Sequence, residues 1–408
     1  MKCRHCAAEL TLEFANLGSS PPSNSFLTAE GLSAPETWYP LRVLACTNCW
    51  LVQTHDFARR DEFFSADYAY FSSVSDTWLR HAEAYVEAMT ARFGLGPESH
   101  VVEVASNDGY LLQYVQARGI RCLGIEPTAS TAEAARRRGI EVRQEFFGVE
   151  LATRLVAESR EADLAAANNV LAHVPDINDF VRGFAILLKS DGVATFEFPH
   201  LMRLVGEGQF DTIYHEHYSY LSLTAVEAIF AANGLKVFDV EELPTHGGSL
   251  RVYAARADSR SLEVTGRVTA LLDRERTAGV ASADYYGTLQ RRAEAITADL
   301  LGFLVEAKKA GKKVAAYGAA AKGNTLLNFA GVRVHLLPWV ADLSSAKQGK
   351  YLPGSRIPVV GEDRIRTERP DYVLILPWNL RDEIVKQLDY IRAWGGRFVW
   401  AIPELHVQ

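Results

Sequence analysis

The chain has 408 residues, is 48% hydrophobic and 23% charged, and carries a formal charge of −7 at neutral pH. That length exceeds one ordinary domain, and the composition is that of a soluble globular protein of two or three domains. The acidic balance excludes a large nucleic-acid surface, which needs clustered Lys and Arg, and no apolar run reaches the ~20 residues that cross a bilayer.

The chain opens on two CxxC pairs, Cys3/Cys6 and Cys46/Cys49. Each CxxC turn offers two thiolates to one ion, and two turns complete a tetrahedral four-sulfur zinc site. A site with four protein ligands has no open position, so the zinc is structural. A redox dithiol would need only one pair. His5 and His55 are spare ligands. The opening Met1-Lys2-Cys3-Arg4-His5 has no apolar signal core, so a cytoplasmic location is expected, where paired thiols bind metal more often than they oxidise. Pro21, Pro22 and Pro35 mark an irregular loop between the pairs.

A βαβ pattern follows. His100–Ala105 reads as a short apolar strand, Ser106-Asn107-Asp108-Gly109 as a turn, and Tyr110–Gly119 as helical. Cys122–Ile125 is the next strand, ending in Glu126-Pro127 before a helix at Thr131–Arg138. Cofactors sit at the carboxyl ends of such strands, and an acid after the second can accept from ribose hydroxyls. The first turn lacks the GxGxxG that lets a pyrophosphate approach. The stretch Glu103–Gly109 is acidic, which suits a sulfonium or an ammonium group, so S-adenosylmethionine is favoured over NAD. Asp163–Ala167 is a further strand with Asn168, Asn169 and His173 at or beyond its end, and Gly192–Pro199 is another.

The densest reactive cluster is Tyr214-His215-Glu216-His217-Tyr218. Histidines at i and i+2 disfavour a helical zinc site. In extended chain Tyr214, Glu216 and Tyr218 would share one face and the two histidines the other. One histidine could then act on substrate with a carboxylate polarising it. The bland alternative is a hydrogen-bonded structural cluster. Downstream, His246-Gly247-Gly248-Ser249-Leu250-Arg251 reads either as an anion-approaching turn or as a plain hairpin.

The last part of the chain reads as a second α/β sheet. One long helix is expected over Tyr285–Ala310, then a strand to Tyr317 and a small-residue turn from Gly318 through Lys322 and Gly323 to Asn324. Strand, glycine turn and helix form a phosphate-binding arrangement, and Lys322 adds a positive charge. Strands at Leu337–Ala341, Tyr372–Leu376 and Phe398–Ala401 alternate with helical stretches.

Taken in order, these motifs, with Tyr68-Ala-Tyr70-Phe-Ser-Ser, Asn169-Val-Leu-Ala-His173 and Tyr214-His-Glu-His217, resemble the zinc-containing sugar C-methyltransferases of deoxysugar pathways. The resemblance covers nearly the whole chain. It implies an α/β protein with a zinc module over 1–66, a Rossmann-like S-adenosylmethionine domain over 67–256 and a second Rossmann-like α/β domain over 257–408 that helps hold a nucleotide-linked sugar. It implies methylation of a ring carbon beside the C-4 ketone of a dTDP-deoxysugar, in antibiotic or other natural-product biosynthesis. C-3 is preferred, although C-5 also flanks the ketone. Of the residues, His217 would be the base with Glu216 as its electrostatic partner, His173 and Tyr214 would donate to the enolate oxygen, and Tyr68 would cover the site. Glu103, Asn107, Gly109, Glu126 and Asn169 would line the cofactor. His246, Arg251, Tyr317, Lys322 and Asn324 would contact the nucleotide-sugar. A monomer is expected, without nucleic-acid or membrane partners. The competing readings are an NAD-dependent oxidoreductase acting on a nucleotide-sugar and a non-enzymatic zinc-ribbon interaction protein.

Overall fold

The structure, a computed structural model, describes residues 1–57 and 71–408. Three antiparallel strands follow the first cysteine pair: β1 (Leu12–Ser20), β2 (Tyr39–Ala45) and β3 (Val52–Thr54). The second cysteine pair occupies the turn between β2 and β3.

Helix α1 (Asp76–Phe93) enters the central part. Its N-cap Ser75 accepts a hydrogen bond from the Trp78 N–H, and Gly94 closes its far end in the left-handed region. The strands β4 (His100–Val104), β5 (Arg121–Ile125), β6 (Val142–Arg143), β7 (Ala162–Asn168) and β8 (Leu188–Pro199) pair in parallel. β4 is buried along its whole length, as a central parallel strand covered on both faces must be. The next short strand, β9 (Ser219–Tyr220), leaves this sheet and pairs with β3 instead, Gln53 opposite Ser219. The module carrying the cysteines is therefore completed by a strand from the middle of the chain. Helix α2 (Leu223–Ala232) then leads to β10 (Leu235–Leu243) and β11 (Ser249–Arg256), which return antiparallel. The sheet order is β10-β11-β8-β7-β4-β5-β6. It reverses between β4 and β7, and the crevice at such a reversal is where doubly wound sheets bind ligands.

Residues beyond 256 do not pass at once to the last sheet. Helix α3 (Gly266–Ala278) lies against α2 and β10, where Glu275 accepts the Leu223 and Thr224 N–H groups at 2.8 Å. The long helix expected over Tyr285–Ala310 is interrupted: a single turn, α4 (Ala283–Tyr286), precedes α5 (Leu289–Lys309). The third sheet comprises β12 (Val314–Tyr317), β13 (Val340–Ala341), β14 (Val359–Val360), β15 (Tyr372–Ile375), β16 (Arg397–Trp400) and β17 (His406–Val407). Their order, β14-β13-β12-β15-β16-β17, is that of a dinucleotide-binding fold, parallel except for β17. One apolar core joins β1, β2, α5 and this sheet, so the first module and the last part of the chain pack as one body.

Candidate active site at the junction of three sheets

Both CxxC turns close in the same way. The N–H groups of Ala7 and Trp50 bond back to the carbonyls of Cys3 and Cys46 at 2.9 Å, with Ala7 and Trp50 both at φ 60°. The four sulfurs lie within 4.8 Å of one another, with Cys3–Cys49 at 3.6 Å and Cys6–Cys46 at 3.5 Å. Sulfurs ~2.3 Å from a tetrahedral zinc stand about 3.8 Å apart, so the cluster fits the ion. His5 is not needed as a ligand, since its Nδ1 pairs with the Asn178 amide oxygen at 2.8 Å. The Gln53 amide donates to Cys3 Sγ at 3.2 Å, which ties the metal cluster directly to β3.

The ends of β4, β5 and β7 converge on the cofactor crevice. The turn after β4 carries three left-handed residues, Ala105 (φ 58°), Asn107 (φ 49°) and Gly109 (φ 79°). Glu126, at the end of β5, receives the N–H groups of Asn107 (3.0 Å) and Thr128 (2.9 Å). Burial raises its pKa while those amides pull it down. Asn168 ends β7, and Asn169 follows at φ 54°. The buried amide oxygens of Asn168 and Asn169 have no hydrogen-bond partner here, and the buried Glu103 carboxylate is met only by the Tyr110 hydroxyl. Burial drives Glu103 well above the usual carboxylate range. Orphaned acceptors call for a ligand rich in donors, such as an ammonium group and ribose hydroxyls, not a pyrophosphate. S-adenosylmethionine fits that need. The acidity of the turn, however, is smaller than its sequence reads, because Asp108 accepts from Ser73 Oγ and faces the Arg138 guanidinium at 3.6 Å.

The reactive cluster does not run extended. Residues 215–216 form a turn, and the His217 N–H bonds back to the Tyr214 carbonyl at 2.9 Å. Tyr214 and His217 therefore share a side, with ring centroids 3.9 Å apart, and the expected alternation of faces fails. His217 Nδ1 meets the Thr212 carbonyl at 2.8 Å, and His173 Nδ1 meets the Glu216 carbonyl at 2.8 Å. A carbonyl only accepts, so each Nδ1 carries the proton and each neutral ring presents a lone pair at Nε2. The two rings pack edge to face at 4.6 Å. Burial, then the neighbouring His173, Lys322 and His246 side chains, hold His217 well below the ordinary imidazole value. Burial lowers His173 to about 4.

The expected pairing of Glu216 with the His217 ring is also corrected. The Glu216 carboxylate turns away and accepts from the Asn24 amide at 3.2 Å. Burial raises its pKa, while the backbone N–H groups of Glu216, Asn24 and Ser23 and the Asn24 amide pull it down. His215 lies by Pro40 and Tyr39. Tyr68 falls outside the described residues.

The last sheet closes the site from the other side. Lys322 and Asn324 lie in the first turn of helix α6 (Ala321–Phe329), not in a loop as the sequence suggested. Lys322 Nζ donates to the Asn379 amide oxygen at 2.7 Å and sits 4.8 Å above the Trp378 ring. Trp378 donates to buried Asp211 at 2.7 Å. Burial lowers Lys322 and raises Asp211 to about 6. His246, at φ 55°, places Nε2 3.3 Å from the Asn169 amide nitrogen, so it joins the cofactor strand ends to the Lys322 side. Tyr317, at the end of β12, donates to Glu362 at 3.3 Å and accepts from Gln387 at 2.7 Å. Arg251 stands apart from this group. Its guanidinium is buried in β11 and taken up by Glu197 at 2.6 Å and Glu241 at 3.2 Å.

Three contributors were not legible in the sequence. Asn24 reaches Glu216 from the cysteine-bearing module. Trp78 packs on His81, Tyr110 and His246 at 4.8, 5.8 and 5.2 Å, and His81 bonds Glu197 at 2.8 Å. Asp211 supplies a buried acid beside Lys322. Each depends on contacts between distant segments, and none has a local motif.

A four-thiolate module, a doubly wound sheet with a donor-seeking crevice and a histidine pair at its edge define the class: an S-adenosylmethionine-dependent methyltransferase with a zinc module. Known families match along the chain in that same order. A family described as "Putative zinc binding domain" matches residues 3–64, "Methyltransferase domain" matches 78–240, and "C-methyltransferase C-terminal domain" matches 244–403. The C-methyltransferase NovU of Streptomyces niveus is 35% identical over 406 residues, covering 100% of this chain and 96% of its own. The chain belongs to this C-methyltransferase family, and the oxidoreductase and interaction-protein readings fall away. Among solved structures, a SAM-dependent methyltransferase from Anabaena variabilis is 14% identical, spans 49% of this chain and 96% of its own, and has a TM-score of 0.39. Magnesium protoporphyrin IX methyltransferase from Synechocystis, with bound SAM, is 15% identical over 45% of this chain and 82% of its own, with a TM-score of 0.33. No helix among the described residues is long and apolar enough to cross a membrane.

Proposed function

We propose that this enzyme methylates a ring carbon, C-3 in our reading, beside the C-4 ketone of a dTDP-linked deoxysugar, through an enolate, in the biosynthesis of a natural-product sugar. The observation that carries this reading is the pair of buried histidines, packed edge to face at 4.6 Å, whose Nδ1 protons are held by backbone carbonyls, which puts the lone pair of each neutral ring on Nε2. Carbon becomes a nucleophile only when a proton α to a carbonyl is removed, and a neutral imidazole in fixed orientation is suited to take it.

His217 is assigned as the base. Its depressed basicity means that its protonated form is stabilised chiefly when a negative charge develops beside it, as on an enolate. His173 shares the same tautomer and is neutral near pH 7, so it fits a second acceptor or proton relay better than the enolate donor first assigned to it. Tyr214, packed on His217, is the better donor to the enolate oxygen. Bound S-adenosylmethionine supplies the electrophilic methyl group. Glu126 would hold its ribose hydroxyls, and Glu103, Asn107, Gly109 and Asn169 would line the rest. Lys322, His246 and Tyr317 would take the nucleotide diphosphate end of the substrate, with Lys322 at the helix start answering its charge, while Asn324, buried with its amide donated to the Ser23 carbonyl at 2.6 Å, is reassigned from substrate contact to holding that loop. Arg251 is reassigned from substrate contact to holding Glu197, and through it His81, in place.

The test is His217→Asn. Turnover should fall by about 10²–10⁴-fold, the usual contribution of one general base, while cofactor affinity measured by calorimetry stays within a few-fold of wild type. Near-native turnover would remove His217 from the role and leave His173 as the candidate.

A further inference from the structure

The line of contacts into Glu216 comes from outside the methyltransferase sheet. On the loop between β1 and β2, Asn24 donates its side-chain amide to Glu216 Oε1 at 3.2 Å. The preceding residue, Ser23, is 2% exposed, and its carbonyl accepts from the Asn324 amide at 2.6 Å. Asn324 lies in the first turn of α6, two residues from Lys322. The backbone carbonyl of Glu216 in turn fixes the tautomer of His173. A continuous chain thus runs from α6 through Ser23 and Asn24 to Glu216 and the histidine pair.

We propose that Asn24 is a positioning residue of the catalytic turn, holding the Glu216 carboxylate through its amide donor, with Asn324 fixing the loop that carries it. The proposal rests on the assignment of the 214–217 turn to the chemistry. A bond to a charged group is worth more than a neutral one, and losing the donor leaves the buried Glu216 carboxylate to backbone N–H groups alone, two of them on the same Ser23–Asn24 loop. The turn should then sample other arrangements, which costs turnover more than substrate binding.

The sharpest variant is Asn24→Asp, which keeps the shape and replaces the donor by an acceptor facing Glu216. Two carboxyls in contact share a proton at lower pH, and that proton restores the bond. The other titratable groups that face Glu216 are Tyr220, on β9, and His173, at its backbone carbonyl. Wild type contains both, so the ratio of variant to wild-type kcat isolates the new pair. At pH 8 the variant should lose about tenfold or more in kcat, with KM for S-adenosylmethionine within about twofold. The ratio should climb as pH falls from 8 to 6. Asn24→Ala should lose a similar factor with a ratio flat in pH. Zinc content and melting temperature verify folding, and if Asn24→Asp does not fold, Asn24→Ser, which keeps a shorter donor, should retain more kcat than Asn24→Ala. A pH-independent ratio for a folded Asn24→Asp, wild-type kcat in either Asn24→Asp or Asn24→Ala, or equal losses in Asn24→Ser and Asn24→Ala would overturn the proposal. If His217→Asn is inactive while these variants behave as wild type, the inference alone fails; if His217→Asn is fully active, the functional reading beneath it fails.

Discussion

Replacing Gly109 by alanine should damage the cofactor crevice without unfolding the protein. Gly109 sits at φ 79°, and a Cβ added there would lie 2.3 Å from Ile140 Cδ1 and 3.4 Å from Ala135 Cβ. A non-glycine residue in the left-handed region costs about 1–2 kcal/mol, and overpacking costs about 1–3 kcal/mol more. The isoleucine methyl is the end of a flexible side chain, so part of the clash can relax and the total lies at about 2–4 kcal/mol. The turn can shed this strain by moving, but it must return to bind cofactor. Affinity for S-adenosylmethionine should therefore fall by at least about tenfold, measured by calorimetry. Gly94→Ala is the control. It has the same kind of backbone (φ 62°), but nothing lies within 4 Å of its added Cβ, and it caps α1 away from the crevice. It should lower the melting temperature and leave affinity unchanged. Equal affinities for Gly109→Ala and wild type would refute the placement of the cofactor at this turn.

Two other outcomes follow from the geometry. Chelating zinc should abolish turnover even where the central sheet stays folded, because Gln53 links Cys3 to β3 while Thr54 Oγ1, on the same strand, donates to the His217 carbonyl at 3.1 Å. Hydrogen exchange in β3 and β9 should rise on metal removal, and a fully active zinc-free protein would contradict this coupling. Stability should also fall as pH drops from about 6.5 towards 4. Over that window the unfolded chain binds protons at His173 and His246, both held near 4 in the fold chiefly by burial. His217, His215 and His100, also lowered by burial, act in the same sense, while the raised carboxyls Asp211 (to about 6), Glu103, Glu126 and Glu216 act in the opposite one, so the part due to His173 is read from its own variant. His173→Asn should flatten the melting temperature against pH in that range, and an unchanged slope would show that His173 is not buried neutral.

The fold was largely legible because its signals are local. Two CxxC turns, apolar strands bounded by polar turns, and an acid after the second strand are each written in a few adjacent residues. The errors arose where tertiary packing selects the residue. Gly323 reads as part of a turn, yet it lies in the first turn of α6, and its glycine serves close packing instead, since a Cβ there would meet Leu376 Cβ at 2.9 Å. The 214–218 segment reads as extended, yet it turns because Tyr214 and His217 close a backbone bond and pack ring on ring. Arg251 looks like an anion ligand, and only the sheet register reveals Glu197 and Glu241 beside it. Asn24 carries no signal, since its partner is 192 residues away.

The central claim is that His217 removes a hydrogen from the carbon that receives the methyl group. Incubating the enzyme with a dTDP-4-keto-deoxysugar in deuterated water, with and without S-adenosylmethionine, tests it most directly. The account predicts deuterium entering at the carbon α to the ketone, a product with its new methyl on that carbon, and loss of both in His217→Asn. A methyl on oxygen or nitrogen, or wild-type exchange in His217→Asn, would contradict it.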